Sequence, residues 1–205
     1  MTMEDNNNRK LNNIIIIEDE HLVAEGIAAA VRDLDYKIAG IFGSGDKAIA
    51  FCQKNHPDLA LVDIRMPGIS GLETAEFLYH ELGIPAVIVS AYSDPEYATT
   101  SANIGVFGYL LKPVTRDSLR TTLTVAWGQY CSHLTSTAEI ARLNQRIEDR
   151  KHIEKAKWIL VDRLGITEEL AMRKLQKQAR DNRKKIIEIA QGILDNQELF
   201  STDLT

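Results

Sequence analysis

"NIIIIEDE", residues 13–20, decides how the first part of the chain is read. Four consecutive isoleucines form a short β-branched run, and three acids follow at once. A strand that is apolar on every residue has no solvent face, so it belongs in a sheet covered on both sides. Four more runs of this kind lie downstream: "IAGIF" (38–42), "LALV" (59–62), "AVIV" (86–89) and "VFGYLL" (106–111). Helix-length segments separate them. Leu22, Ile27, Val31 and Leu34 mark the first, residues 48–52 sit in the second, and 72–81 and 95–104 read as the next two. Short continuous strands alternating with helices are parallel βαβ units. Five of them give an α/β fold with a five-stranded doubly wound parallel sheet. Its ligands sit outside the carboxyl ends of the strands, where strand order reverses.

The residues at those ends carry the chemistry. Glu18, Asp19 and Glu20 follow the first strand, Asp63 the third, Ser90 the fourth and Lys112 the fifth. Clustered carboxylates are costly, since two like charges ~4 Å apart repel by ~4 kcal/mol at an effective dielectric of ~20. A hard divalent cation relieves that repulsion, and Mg²⁺ favours oxygen ligands while keeping waters. Lys112, placed just before Pro113, is then positioned to meet Asp63 and a phosphoryl group added to it. Taken singly, Asp19 also suits a helix cap, and Lys112 a surface position. Their joint placement at four strand ends favours a working site.

Composition bounds the rest. The 205 residues suit one or two domains, and 44% hydrophobic residues suffice for a core. Cys52 and Cys131 lack metal or CxxC spacing, which suggests a reduced, cytoplasmic setting. No signal-peptide layout opens the chain, and no apolar run approaches the ~20 residues of a membrane span. Residues 1–135 hold 10 Lys+Arg against 17 Asp+Glu, whereas residues 150–185 hold 12 against 5. An acidic first part and a basic later segment point to two tasks.

Residues 13 to about 130 resemble the receiver domain of two-component response regulators, through "IIEDE", "LVDIRMPGISG", "VSAY" and "YLLKP". The resemblance implies a flavodoxin-like fold with Asp63 as phosphoacceptor. It implies Mg²⁺ held by Glu18, Asp19, Asp63 and the backbone carbonyl of Arg65. It makes Ser90 and Tyr109 the switch pair and Lys112 the phosphoryl partner, with a cis Lys112–Pro113 peptide. Glu18 stands where many members carry an aspartate. A sensor histidine kinase is the implied phosphoryl donor, and the chain is a regulatory phosphoacceptor rather than an enzyme.

The second part reads as all helix. Thr115 caps a helix whose apolar face carries Leu119, Leu123, Ala126 and Tyr130. After a thin stretch, Ile140, Leu143 and Ile147 form a short coiled-coil seam, weakened at Arg150. Gly165 reads as a stop, and Thr167 with Glu168 and Glu169 as a new N-terminus. Ala171, Leu175 and Ala179 face one way, and Ile186, Ala190 and Ile193 continue that face past a break at Asp181–Asn182. Arg173, Lys177, Arg180 and Lys184 share one face of any continuous helix. Like charges at that spacing destabilise by ~0.2–0.5 kcal/mol per pair, so the stripe suggests a polyanion. A solvated face is the plainer reading, and a break at Asp181 would split the stripe.

Residues about 143–194 resemble the ANTAR domain, through "RIEDRKHIEKAKWIL" and "GITEELAMRKLQKQARDNRKKIIEIAQGIL". The resemblance places small or apolar residues at Ala156, Ala171, Leu175, Ala179 and Ala190, and basic ones at Lys157 and Arg183. Trp158 and Val161 depart from it, standing where a glycine and a methionine are common; Trp158 suits stacking on a flipped RNA base, but a tryptophan there is more often a packing residue. The implied function is binding of RNA hairpin loops in nascent transcripts, favouring an antiterminator over a terminator. Sequence-specific RNA reading targets unpaired bases of this kind. The candidate RNA residues are Lys157, Arg173, Lys177, Arg180, Arg183 and Lys184. The expected organisation is a tail over 1–12, a receiver over 13–130 and a linker with coiled-coil helix over 131–164. A three-helix ANTAR domain over 143–194 and a tail over 195–205 complete it, with dimerisation on phosphorylation. Rival outputs are DNA binding, for which "RLGITEEL" is only a faint turn, and a coiled coil that docks a protein.

Overall fold

The computed structural model of the protein describes residues 10–91 and 104–201. Five strands, β1 (Asn13–Ile17), β2 (Lys37–Phe42), β3 (Leu59–Asp63), β4 (Ala86–Ser90) and β5 (Val106–Leu111), form one sheet. All pairings are parallel and the order is β2-β1-β3-β4-β5. Order reverses between β1 and β3, which makes that crevice the switch point. The helices are α1 (His21–Arg32), α2 (Gly45–Cys52), α3 (Gly71–Leu82), α4 (Arg116–Leu164), α5 (Glu168–Asp181) and α6 (Ile186–Ser201). Most of the helix expected over 95–104 lies outside the described residues, as do residues 1–9 of the N-terminal tail and residues 202–205.

Alternation along each strand splits the core in two. Ile14, Ile16, Leu59 and Leu61 pack with Ile27 and Val31 of α1 and with Leu119 and Leu123 of α4. Ile15, Ile17, Ala60 and Val62 pack on the other face with Ala48 and Cys52 of α2 and Leu78 of α3. Each large side chain buried this way contributes about 1.5–3 kcal/mol. Burial pushes the Cys52 thiol up to about 11.

Local signals fix the elements that reach the site. Ser70 begins α3 with a capping box: Glu73 N–H donates to Ser70 Oγ at 3.3 Å, and Ser70 N–H donates to Glu73 Oε2 at 3.0 Å. Gly83 ends α3 in the left-handed region, at φ 67°. Gly71 packs against β3 so closely that a Cβ there would overlap the Asp63 carbonyl oxygen. Thr115 and Ser118 cap α4 reciprocally, at 3.1 and 3.2 Å between backbone N–H and hydroxyl oxygen.

The chain divides into two compact units, residues 1–135 and 136–205. The first therefore reaches beyond residue 130. Leu134 packs on the core, His133 lies against the Tyr79 and Phe107 rings, and the Tyr130 hydroxyl donates to Gly83 O at 2.7 Å. No linker interrupts residues 131–164, because α4 is helical throughout. Its polar stretch holds Ala, Leu, Glu and Arg without proline or glycine, a composition that sustains a helix.

In the second unit Ala156, Ala171, Leu175, Ala179 and Ala190 are buried. Gly165, at φ 61°, ends α4, and the Thr167 hydroxyl accepts from Leu170 N–H at 3.4 Å to open α5. The chain turns after Asp181: Asn182 caps α5, Arg183 adopts φ 54°, and Lys184 N–H donates to Ala179 O at 2.9 Å. This turn corrects the four-residue basic stripe, since Lys184 lies beyond the helix that carries Arg173, Lys177 and Arg180. The tail expected from 195 is corrected too. Helix α6 runs through Ser201, with Asn196 Nδ2 donating to Gly192 O at 2.7 Å and no glycine or proline after Gly192 to stop it.

The Gly71 approach yields a test of how α3 seats beside β3. Gly71→Ala forces the two apart and should cost about 1–3 kcal/mol in urea denaturation. A variant as stable as the parent would show that the close approach does not hold the helix in place.

Candidate functional site

The predicted receiver acids, Ser90 and Lys112 lie at the carboxyl edge of the sheet, and register explains why. Ile17 pairs with Val62, Asp63 with Val89, and Ser90 with Leu111, so four strands end nearly level. Glu18 leaves β1, Asp63 ends β3, Ser90 ends β4 and Lys112 follows β5. Glu18, Asp63 and Ser90 are 3%, 6% and 2% exposed, so two carboxylates stand almost out of water.

Lys112 joins them. Its Nζ lies 2.7 Å from Glu18 Oε2 and 2.9 Å from Asp63 Oδ1. Backbone groups hold the remaining oxygens: Arg65 N–H donates to Asp63 Oδ2 at 3.1 Å and Glu20 N–H to Glu18 Oε1 at 3.4 Å. Lys112 N–H donates to Ser90 O at 2.8 Å, which ties the lysine to the end of β4. The Lys112–Pro113 peptide is cis.

Burial, with the Asp63 charge, lifts the Glu18 carboxyl above its ordinary range, and the Lys112 ammonium only partly offsets the lift. Burial alone would depress Lys112, but its bonds and charge contacts with Glu18 and Asp63 outweigh this and hold it above the usual lysine range. Asp19 is exposed and is not a helix cap, since Glu20 occupies the N-cap of α1 without a side-chain bond. Its carboxylate is free to face the cleft. Oxygens of Glu18, Asp19 and Asp63 lie within 4.8 Å of one another, a donor set that suits a small hard cation. Tyr109 is half-buried on β5 and packs against the α2–α3 side of the core.

The chain matches the response regulator receiver domain over residues 14–124 and the ANTAR domain over residues 141–194. The chain belongs to the response regulator receiver family. This response regulator resembles the transcriptional regulatory protein PdtaR of Mycobacterium tuberculosis, at 29% identity over 182 residues and 89% of each chain. It is also similar to the positive alginate biosynthesis regulatory protein of Pseudomonas aeruginosa, at 37% identity over 116 residues, 56% of this chain and 46% of that one. The receiver of a modulated diguanylate cyclase from Desulfovibrio desulfuricans superposes with a TM-score of 0.54 at 31% identity, covering 59% of this chain and 97% of that one. A receiver followed by an ANTAR domain supports a regulator of transcription with an RNA-binding, antiterminating output. Among the described residues no helix is long and apolar enough to cross a membrane.

The second unit distributes its candidates unevenly. Arg173, Lys177, Arg180, Arg183 and Lys184 are exposed, and Arg173 pairs with Glu169 at 2.7 Å. Lys157 is different: its side chain is 12% exposed and its ammonium contacts Glu154 and, at 3.1 Å, Glu168. It ties α5's first turn to α4, so its charge is offset within the unit. Trp158 is 54% exposed, which corrects its reading as a packing residue. Ile140, Leu143 and Ile147 are exposed as well. Sequence reasoning missed Gly71, because nothing around that glycine marks a close backbone approach. It also missed that Glu154 and Glu168 meet Lys157; a lysine three residues after a glutamate on a helix was the available signal.

Removing Lys112 tests the charge arrangement. Lys112→Ala leaves two buried carboxylates unopposed, and breaking such a pair costs about 3 kcal/mol. The loss should be largest at neutral pH in EDTA and should shrink with millimolar Mg²⁺. It should also shrink as pH falls: a carboxyl with a raised folded pKa adds stability below its unfolded value and loses it as pH rises through the folded one. Denaturation curves at pH 5 and pH 8 check this, and equal losses at both would discount the pair.

Proposed function

We infer that the protein is a cytoplasmic response regulator, activated by phosphorylation at Asp63, that binds hairpin-loop RNA in nascent transcripts and acts as an antiterminator. The observation that carries this reading is the Glu18–Lys112–Asp63 arrangement at the carboxyl edge of a receiver that precedes an ANTAR domain. Asp63 supplies an oxygen nucleophile at the carboxyl edge of the sheet. It attacks the phosphorus of a phosphohistidine on a sensor kinase; a P–O bond forms as the P–N bond breaks, and the imidazole, already protonated on its other ring nitrogen, leaves as the neutral ring. Lys112 opposes the charge gained by Asp63.

Glu18, Asp19, Asp63 and the Arg65 carbonyl are the groups to hold Mg²⁺, whose charge would offset that of the phosphoryl oxygens. Ser90 donates a hydrogen bond to the phosphoryl group, and Tyr109 moves inward behind it, as the family resemblance implies. The organisation follows as a receiver, a coiled-coil helix and an ANTAR module. Ile140, Leu143 and Ile147 form the seam of a homodimer favoured by phosphorylation. The exposure of all three residues supports this, and a short seam suits a near-balanced equilibrium. Arg173, Lys177, Arg180, Arg183 and Lys184 meet RNA phosphates, with Lys157 holding the module together behind them.

Asp63→Asn replaces the nucleophile with an amide and removes a metal-ligating charge. It should abolish Mg²⁺-dependent labelling by acetyl phosphate, read on a phosphate-affinity gel. Labelling at the parent rate would place the phosphoacceptor elsewhere.

The dimer is tested separately. Analytical ultracentrifugation with and without a phosphoryl mimic should show a shift from monomer to dimer, and Ile147→Asp should remove it. A coupling of ~1–3 kcal/mol corresponds to a roughly 5- to 150-fold change in affinity. A tight dimer in both states would exclude phosphorylation as the trigger.

A further inference from the structure

The second unit contains a cleft that neither the receiver chemistry nor the basic stripe explains. Three helices meet around a cavity of about 510 Å³. Leu160 and Leu164 from α4, Leu175 from α5, and Ile189 and Ile193 from α6 supply its apolar walls. Leu164 is 52% exposed, so the unit leaves a large aliphatic side chain partly in water there. Lys174, Lys177, Gln178 and Asp181, all on α5, supply its polar side.

We propose that this cleft receives one unpaired, amino-bearing base of an RNA loop, while Lys174 and Lys177 hold the phosphates beside it. The proposal rests on the RNA-binding reading above and names a base subsite within it. The volume falls in the range of about 300–1,000 Å³ typical of small-ligand sites, which combine apolar walls with a few polar groups. It exceeds what a lone base needs and leaves room for part of its sugar. Aliphatic walls accept the flat π-face of a base, which water solvates poorly.

Charge decides between occupants. An apolar peptide would have to cover two ammonium groups with only the Asp181 carboxylate in the lining to oppose them, and burying the net charge is costly. A nucleotide brings its own anion to them. Asp181 is an acceptor without a donor, so it takes N–H groups from a base edge and repels phosphate, as the Asp–cytosine amino pairing illustrates. Asn182 Nδ2 already donates to Gln178 Oε1 at 3.0 Å, which leaves the Gln178 amide nitrogen as that residue's donor. The cleft thus has a lysine side for backbone and an Asp181 side for the base edge. Lys177 belongs to both the stripe and the cleft, so backbone contacts along α5 lead to the base subsite.

The experiment uses the full chain and RNA hairpins with a randomised loop, enriched on the parent protein. Each loop position of an enriched hairpin is then replaced in turn by an abasic nucleotide, by uracil and by 2-aminopurine. One position should dominate. There the abasic nucleotide should cost about tenfold in affinity. Uracil, lacking the amino group, should bind worse than cytosine, and 2-aminopurine emission should change on binding. Ile189→Trp, which fills the cleft, should lose affinity to the same extent and become insensitive to the abasic change. Lys174→Gln, on the exposed rim, should reduce the slope of log affinity against log salt by about 0.7. Should Ile189→Trp fail to fold by circular dichroism, the Lys174 variant and the loop scan on the parent decide alone. Folded Ile189→Trp with parental affinity, or a loop with no dominant position, overturns the cleft and leaves RNA binding standing. Failure to enrich any hairpin overturns both. A change in the sedimentation of Ile189→Trp without RNA would make the cleft a contact between copies and overturn it as well.

Discussion

An ammonium group held at 2.7 and 2.9 Å by two buried carboxylates is the interaction on which the receiver's working edge depends. Glu18 and Asp63 come from different strands, and without an opposing charge their proximity would force one to protonate or the strand ends to separate. Lys112 opposes the charge of both. The sheet repays the constraint in geometry: β1, β3, β4 and β5 end level because their side chains alternate between two packed cores. Slipping one strand by a residue would exchange its core faces and carry its terminal polar residue away from the edge.

That arrangement also ranks possible changes. Lys112 can leave one carboxylate for another anion without any strand moving, because a flexible methylene stem carries its charge. Asp63 cannot shift in the same way. Its carboxylate is held by Arg65 N–H, and Gly71 lies against its carbonyl. The site therefore pairs a fixed carboxylate with a mobile counter-charge, a division that suits the phosphoacceptor role proposed for Asp63.

Sequence patterning revealed the receiver fold in some detail, since β-branched runs with polar terminal residues have few other uses. The strands "LALV" and "VFGYLL" lie where read, and Leu119, Leu123, Ala126 and Tyr130 are buried together. The breaks at Gly165 and Asp181 were legible from cap chemistry. What escaped the pattern depends on distant parts of the chain meeting. Whether α4 pauses near residue 131 cannot be judged from a polar stretch that suits both a linker and an exposed helix. Lys157 resembled its exposed basic neighbours, and only the approach of Glu168 from the next helix distinguishes it. Trp158 read as core because tryptophan is mostly buried, yet the small residues at Ala156, Ala171 and Ala190 fill that interior.

The turn after α5 carries a further implication. Arg183 occupies the left-handed backbone region at φ 54°, a conformation that glycine or asparagine adopts more easily. A thermostability programme would choose this position early, and Arg183→Gly would relieve roughly 1 kcal/mol of strain. The same change would delete a guanidinium from the basic end of the module. With the RNA contact proposed for Arg183, the turn is a place where robustness and recognition draw on one side chain, and a hardened variant is expected to hold RNA less firmly.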